Sequence, residues 1–186
     1  EIHPQTEAYL GSVNSFGPRA CYDEGKRISE TLCYDFNRIH NLDIRIARIF
    51  NTYGPKMLPN DGRVISNFIV QALKNESLTI YGDGSQTRSF CYIEDLIDGL
   101  FKLMNSEYNK PINLGNPFEI SIIDIASLIK EKINRNLELI KKPLPEDDPN
   151  RRKPVIDVAK NELGWEPQIG LEDGIELTIN YFRKLI

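Results

Sequence analysis

"CYDEGKRISETLCYDFNRIHNLDIRIARIFNTYG", residues 21–54, passes directly from a helical pattern into a strand pattern. The helical stretch runs from Pro18 to about His40, with proline near the start, where its missing N–H costs nothing. At about 100° per residue, Tyr22, Lys26, Ser29 and Cys33 share one narrow stripe, flanked by an apolar stripe of Ile28, Leu32, Phe36 and Ile39. Asp23, Glu24, Arg27, Glu30 and Arg38 take the opposite side, so the Tyr22/Lys26 pair is expected to border the buried face. "LDIRIARIF" then reads as a strand with Ile44, Ile46 and Ile49 packing, and it runs into a loop at Gly54-Pro55. A strand after a long helix implies a βα unit of a parallel sheet, and open α/β sheets bind ligands at strand ends such as "NTYG".

Working outward, the alternation continues. A helix is expected at about 63–75, followed by two short strands, "LTIYG" and "TRSFCYI", joined by "DGSQ" as a hairpin or a strand-to-strand loop. The acidic "EDL" at 94–96 opens a helix to about Met104, since carboxylates favour helix N-termini. "PINLG" is a strand, and "SIIDIASLIKEKI" a helix with Ser121 as its N-cap. The polar, proline-rich segment 143–154 reads as a loop, and "IDVAKNELGW" and "LEDGIELTINYFRKL" as two closing helices. The fold class is therefore α/β.

Composition narrows the function. With 186 residues, 40% hydrophobic and 27% charged, the chain has the profile of a globular protein able to bury a core. A net charge of −4 argues against bulk nucleic-acid or membrane-surface binding, but leaves room for an anionic small ligand held by a few arginines. No apolar run is long enough to span a bilayer, and the first residues show neither a basic nor an apolar leader region. They also lack an initiator methionine, which suggests a chain starting in mid-protein. Cys21, Cys33 and Cys91, odd in number and widely spaced, suit reduced thiols in a cytoplasmic compartment rather than a disulfide framework or a metal site.

The chemical motifs are sparse. There is no GxSxG, HExxH, CxxC or EF-hand loop, and His3 and His40 have no evident metal partners. "GDGSQT" looks like a phosphate loop but opens no helix, so a Walker or dinucleotide fingerprint is not expected there. Tyr22 and Lys26 have the YxxxK spacing, yet a chain with 8 tyrosines yields roughly half of one such pair by chance. From residues alone the pair is either catalytic or a packed tyrosine with a snorkelling lysine.

Six blocks in order carry more information: "GPRACYDEGKRISE", "RIARIFNTYGPKM", "NDGRVISNFIVQAL", "LTIYGDGSQTRSFCYIEDLIDGL", "INLGNP" and "DDPNRRKP". Together they resemble the UDP-glucuronate decarboxylase (UDP-xylose synthase) family of extended short-chain dehydrogenases/reductases, along essentially the whole chain. "RxxNxYGP" and "GxGxxxRxFxY" are shared with related dehydratases and epimerases, whereas "RACYDEGKR" and "NDGRVISNF" favour the decarboxylase.

The resemblance implies an NAD(P)-binding Rossmann-type fold with a small α/β substrate lobe. It makes Tyr22 the catalytic tyrosine and Lys26 its partner, both also contacting NAD, with the lysine on the nicotinamide ribose. A free phenol with a pKa near 10 is a poor base at neutral pH, and an adjacent ammonium favours the phenolate. The implied reaction turns UDP-glucuronate into UDP-xylose through a 4-keto uronate, with NAD regenerated in each cycle. Asn51, Arg63, Tyr81, Gln86, Arg88 and Arg152 are implied to line the UDP-sugar pocket. Arg88 suits diphosphate or ribose because its planar fork gives directional bonds. Arg63 suits either diphosphate or the uronate carboxylate, and Arg152 either contacts the nucleotide or braces its loop. Asn51, Tyr81 and Gln86 read equally as residues that cap backbone groups at turns.

Two departures stand out. "KPVID" puts Val155 where the family has an acidic residue, and the family's glycine-rich βαβ start and its Thr-Ser-Glu stretch are not in this sequence. The expectation is a C-terminal part of the enzyme that neither holds NAD tightly nor turns over alone. Residues 1–52 would then complete the cofactor domain, and 53–186 would be mainly substrate lobe with segments such as "TRSFCYIEDL" returning to the sheet. A homodimer through the Tyr22/Lys26 helix is also implied. The rival readings are a nucleotide-sugar 4,6-dehydratase or 4-epimerase using the same pair, or a non-catalytic nucleotide-sugar-binding or dimerisation module.

Overall fold

Asn41 adopts the left-handed conformation (φ 53°) and ends the first helix, α1, Ala20–His40, by the geometry that lets a chain leave a helix sharply. A computed structural model describes residues 2–144 and 151–186. After α1 come β1 (Ile46–Ile49), β2 (Thr52–Tyr53), α2 (Val64–Leu73), β3 (Leu78–Tyr81), β4 (Thr87–Ser89) and β5 (Cys91–Tyr92). The chain continues as α3 (Ile93–Met104), β6 (Pro111–Leu114), β7 (Glu119–Ser121), α4 (Ile122–Ile133), β8 (Leu139–Lys142), β9 (Arg151–Arg152), α5 (Asp157–Leu163) and α6 (Leu171–Phe182).

Parallel pairing dominates, as the alternation of helices and strands requires. β1 pairs with β6 from Ile46↔Pro111 to Ile49↔Leu114, and β2 pairs with β5. The chain crosses from β2 to α2 through Gly54 (φ 151°), where a Cβ would strike the side chain of Ile93. β3 pairs with β8, not with β4, so "DGSQ" is a strand-to-strand loop rather than a hairpin. β4 instead lies between β7, antiparallel, and β9, parallel.

Two cores hold these pieces. One collects Phe68 and Ile69 of α2, Ile80, Ile125 and Ile129 of α4, and Phe182 of α6. The other surrounds Trp165, whose indole Nε1 donates to the Asp95 carbonyl at 2.9 Å over Leu96, Ile112 and Leu114. Each such side chain, when fully buried, contributes about 1.5–3 kcal/mol of transfer free energy. Ser121 caps α4 as expected, its hydroxyl accepting the Asp124 N–H at 3.1 Å.

Three expectations need correction. The apolar stripe of α1 points outward: Ile28, Leu32, Phe36 and Ile39 are each about half exposed, and no residue of α1 is buried. The helix turns Glu30 toward the strand, where Arg48 donates two hydrogen bonds to it and ties α1 to β1. Ile49 is likewise exposed rather than packed. The segment 143–154 is not all loop, since Arg151–Arg152 form β9, and its residues 145–150, with the first half of "DDPNRRKP", lie outside the described residues.

Candidate functional site

The ends of β2, β3 and β4 converge with the start of α2 on a cavity of about 320 Å³. Asn51, Arg63, Tyr81, Gln86, Arg88 and Arg152 all line it. Strand geometry explains the convergence: Arg88 and Arg152 are register partners across β4 and β9, so their side chains leave the sheet on one side. Arg88 is buried and donates from Nη1 to the Thr87 carbonyl at 2.8 Å. Arg152 makes no ion pair among the described residues.

Arg63, at the N-cap of α2, is held by Asp61, which accepts from its Nε at 2.8 Å and its backbone N–H at 3.0 Å. Burial pushes the Asp61 carboxyl up, but hydrogen bonds from Ser66 and from Arg63 outweigh it and hold the group below its ordinary value. Gln86 donates to the Tyr81 carbonyl at 2.6 Å, which is the backbone-bracing role, while still lining the cavity.

Sequence reasoning passed over Arg19, which lines the same cavity beside Asn67, above an apolar floor that includes Phe68 and Phe90. The signal was available, because Arg19 precedes Tyr22 by three residues and so lies one helical turn away. Among the described residues, four arginines and no carboxylate line this cavity. A cationic, partly apolar pocket of that size suits a phosphorylated ligand with a planar ring.

Tyr22 and Lys26 do not line this cavity. They sit on the wall of an adjoining one, about 600 Å³, together with Ser29 and Cys33, and Arg152 belongs to both. The Lys26 Nζ is 5.5 Å from the Tyr22 ring centroid, and the Arg19 guanidinium carbon is 5.8 Å from it. Lys26 has no ion-pair partner among the described residues, so its ammonium stands ready beside the phenol for a ligand acceptor. The two cavities thus join an arginine-lined pocket to a phenol with two cations near its ring. Such an arrangement can hold a charged sugar nucleotide and move a proton at a hydroxyl.

Among the described residues no helix is long and apolar enough to cross a membrane. None of their histidine, cysteine and carboxylate groups cluster as a metal site would require.

The sequence matches the model of the NAD dependent epimerase/dehydratase family over residues 2–115. It is 56% identical over 184 residues to UDP-glucuronic acid decarboxylase 1 of Xenopus tropicalis, covering 99% of this chain and 44% of that protein. Against UDP-glucuronic acid decarboxylase 5 of Arabidopsis thaliana it is 53% identical, covering 98% of this chain and 53% of that one. The chain therefore spans about half the length of these curated relatives. Among solved structures it resembles the Thermotoga maritima UDP-glucose 4-epimerase with UDP-glucose, at TM-score 0.89 and 28% identity, covering 100% of this chain and 59% of that one. It also resembles the Bacillus cereus UDP-glucuronic acid 4-epimerase in complex with UDP-glucuronic acid and NAD, at TM-score 0.84 and 30% identity, covering 95% and 57%.

Proposed function

This chain belongs to the NAD dependent epimerase/dehydratase family, with its Rossmann-type fold, and from that premise we propose that it serves the decarboxylation of UDP-glucuronate to UDP-xylose. The observation that carries the reading is the junction at Arg152 between the Tyr22/Lys26 cavity and the cavity lined by Arg19, Arg63, Arg88 and Arg152. Identity supports decarboxylase over epimerase, since relatives named as decarboxylases share 56% and 53% of residues and the UDP-glucuronic acid epimerase 30%.

The arginine cavity binds the UDP moiety: Arg88 and Arg152 on the diphosphate, Arg63 on diphosphate or uronate, and the apolar floor under the uracil. Tyr22 and Lys26 fit a nicotinamide cofactor, because an ammonium with no ion-pair partner among the described residues and an exposed phenol share one cavity wall. NAD, when bound, supplies hydride exchange at C4 of the sugar. The Tyr22 phenol oxygen takes the proton of the 4-hydroxyl and later returns it, while Lys26 steadies the negative charge on that oxygen. The 4-keto uronate is a β-keto acid, so the bond to its carboxylate breaks with release of carbon dioxide, the electron pair passes to the ketone as an enolate, and a solvent proton adds at C5 to give the 4-keto pentose.

In this reading the present residues contribute the proton-handling pair and the sugar-nucleotide side, and the 186-residue chain alone does not turn over. The exposed apolar stripe of α1 supports a homodimer through that helix, and the three free thiols support a reducing compartment. The test is mass spectrometry of UDP-glucuronate incubated with NAD and the natural full-length protein. The UDP-pentose supports the proposal. UDP-galacturonate, separated from its isomer by chromatography before mass analysis, indicates the 4-epimerase, loss of water a dehydratase, and unchanged substrate with retained binding a non-catalytic module.

A further inference from the structure

Arg48, in the middle of β1, directs its three guanidinium nitrogens at two other chain segments. Nε donates to Glu30 Oε1 at 2.7 Å and Nη2 to Glu30 Oε2 at 2.8 Å, a two-bond fork, while Nη1 donates to the Glu7 carbonyl at 2.9 Å. The Glu30 hydrogen bonds raise the Arg48 pKa against the opposing effect of burial. Glu30 follows Lys26 by four residues and Tyr22 by eight, so all three fall within about 80° of the helix circumference. This fork, with the Arg27 bonds to the Leu10 and Gly11 carbonyls, holds the azimuth at which the helix presents the pair.

The fork does not end there. Asn113 of β6, the register partner of Arg48, is buried; its N–H donates to Glu7 Oε1 at 3.0 Å and its Nδ2 to the carbonyls of Gln5 and Val155, each at 3.1 Å. Gln5 in turn exchanges backbone bonds of 2.8 Å with Lys153 and Val155, next to Arg152. One polar network therefore reaches from beneath Tyr22 and Lys26 to the strand that carries Arg152.

We infer that Arg48 and Glu30 are positioning residues, which set Tyr22 and Lys26 in register with the ligand held at Arg152. The inference rests on the proposed activity for its catalytic consequence, though not for its geometry. Small misplacements of a reacting group cost rate steeply, whereas ligand affinity held by other side chains changes little. A two-bond Arg–carboxylate fork also has a directionality that lysine or glutamine cannot reproduce.

The test uses the natural full-length protein with Glu30→Gln, Arg48→Lys, and the exchanged pair Glu30→Arg/Arg48→Glu. Each single variant is expected to lower kcat for carbon dioxide release about 10- to 100-fold, with KM for UDP-glucuronate within about threefold. The exchanged pair is expected to recover part of that loss. Amide hydrogen exchange provides a readout that needs no activity: Arg48→Lys speeds exchange across 20–30 and leaves 122–133 as in the native protein. Unchanged kcat, a loss confined to KM, absence of recovery in the exchanged pair, or unchanged exchange in α1 would overturn the inference. Should the native protein release no carbon dioxide, the decarboxylase reading fails by itself, and exchange with its recovery in the exchanged pair decides the positioning role.

Discussion

The ammonium of Lys26 lies 5.5 Å from the centre of the Tyr22 ring, one helical turn further along α1, on the wall of a cavity rather than in the core. Removing the phenol oxygen by Tyr22→Phe deletes the proposed proton acceptor and keeps the ring. It is expected to lower kcat of the natural full-length protein by about 100-fold or more, with KM for UDP-glucuronate nearly unchanged. Steady-state kinetics check this, and a variant that loses affinity instead of rate would assign Tyr22 to binding.

Arg88 and Arg152 leave adjacent strands on the same side, and in the proposed reading a planar fork there would bind a diphosphate through paired bonds. Arg88→Lys keeps the charge and loses the fork. The expected result is about a 10-fold or greater rise in the Kd for UDP, measured by titration calorimetry, with a smaller change for Tyr81→Phe. Equal effects of the two would place the diphosphate elsewhere.

The helices were legible because each has a clear local signal: Pro18 ahead of α1, the acidic start of α3, Ser121 before α4. The six residues carried by recognisable blocks line one cavity, and their roles there are the proposal made above. Of the three-stranded sheet only β4 was read as a strand, and β7 and β9, together with β8 beside β3, were not. β7 and β9 are three and two residues long, too short for a period of two to show, and "LELIKK" of β8 alternates too weakly to distinguish from a loop. The orientation of α1 was misread for a different reason. An apolar stripe marks the face that seeks cover, yet in this chain the contact to β1 is made by Glu30 and Arg48 from the charged side. Arg19 was passed over because the YxxxK pattern draws the eye C-terminal to the tyrosine.

Glu119 accepts from Thr87 at 2.6 Å, from His3 at 2.9 Å and from Arg151 at 3.2 Å, tying the N-terminal segment to β4 and β9. Burial raises its carboxyl, but these donors prevail and hold it below the ordinary value. A depressed carboxyl contributes stability that is present above its unfolded pKa of about 4.3 and lost as pH falls through the folded value. Denaturant titrations should show stability declining below about pH 5, and Glu119→Gln should flatten that decline. A variant with the native pH dependence would show that other carboxylates govern it.

Gly174 of α6 lies against Tyr53 and Tyr92, where an added Cβ would overlap the Tyr53 hydroxyl. Alanine improves helix propensity by about 1 kcal/mol, yet overpacking a core costs about 1–3 kcal/mol. Gly174→Ala is expected to lose stability on balance. Because Tyr53 lines the arginine cavity, it is also expected to weaken UDP binding. Thermal unfolding and the calorimetric titration check the two effects, and a raised Tm would contradict the packing described.

The most direct measurement follows the carboxyl carbon. UDP-glucuronate labelled with carbon-13 at C6 is incubated with NAD and the natural full-length protein, its Tyr22→Phe variant, and the 186-residue chain. The account predicts labelled carbon dioxide and unlabelled UDP-xylose from the native protein, and almost none from the other two. Label retained in the UDP-sugar of the native reaction, or equal release by the Tyr22→Phe variant, would contradict it.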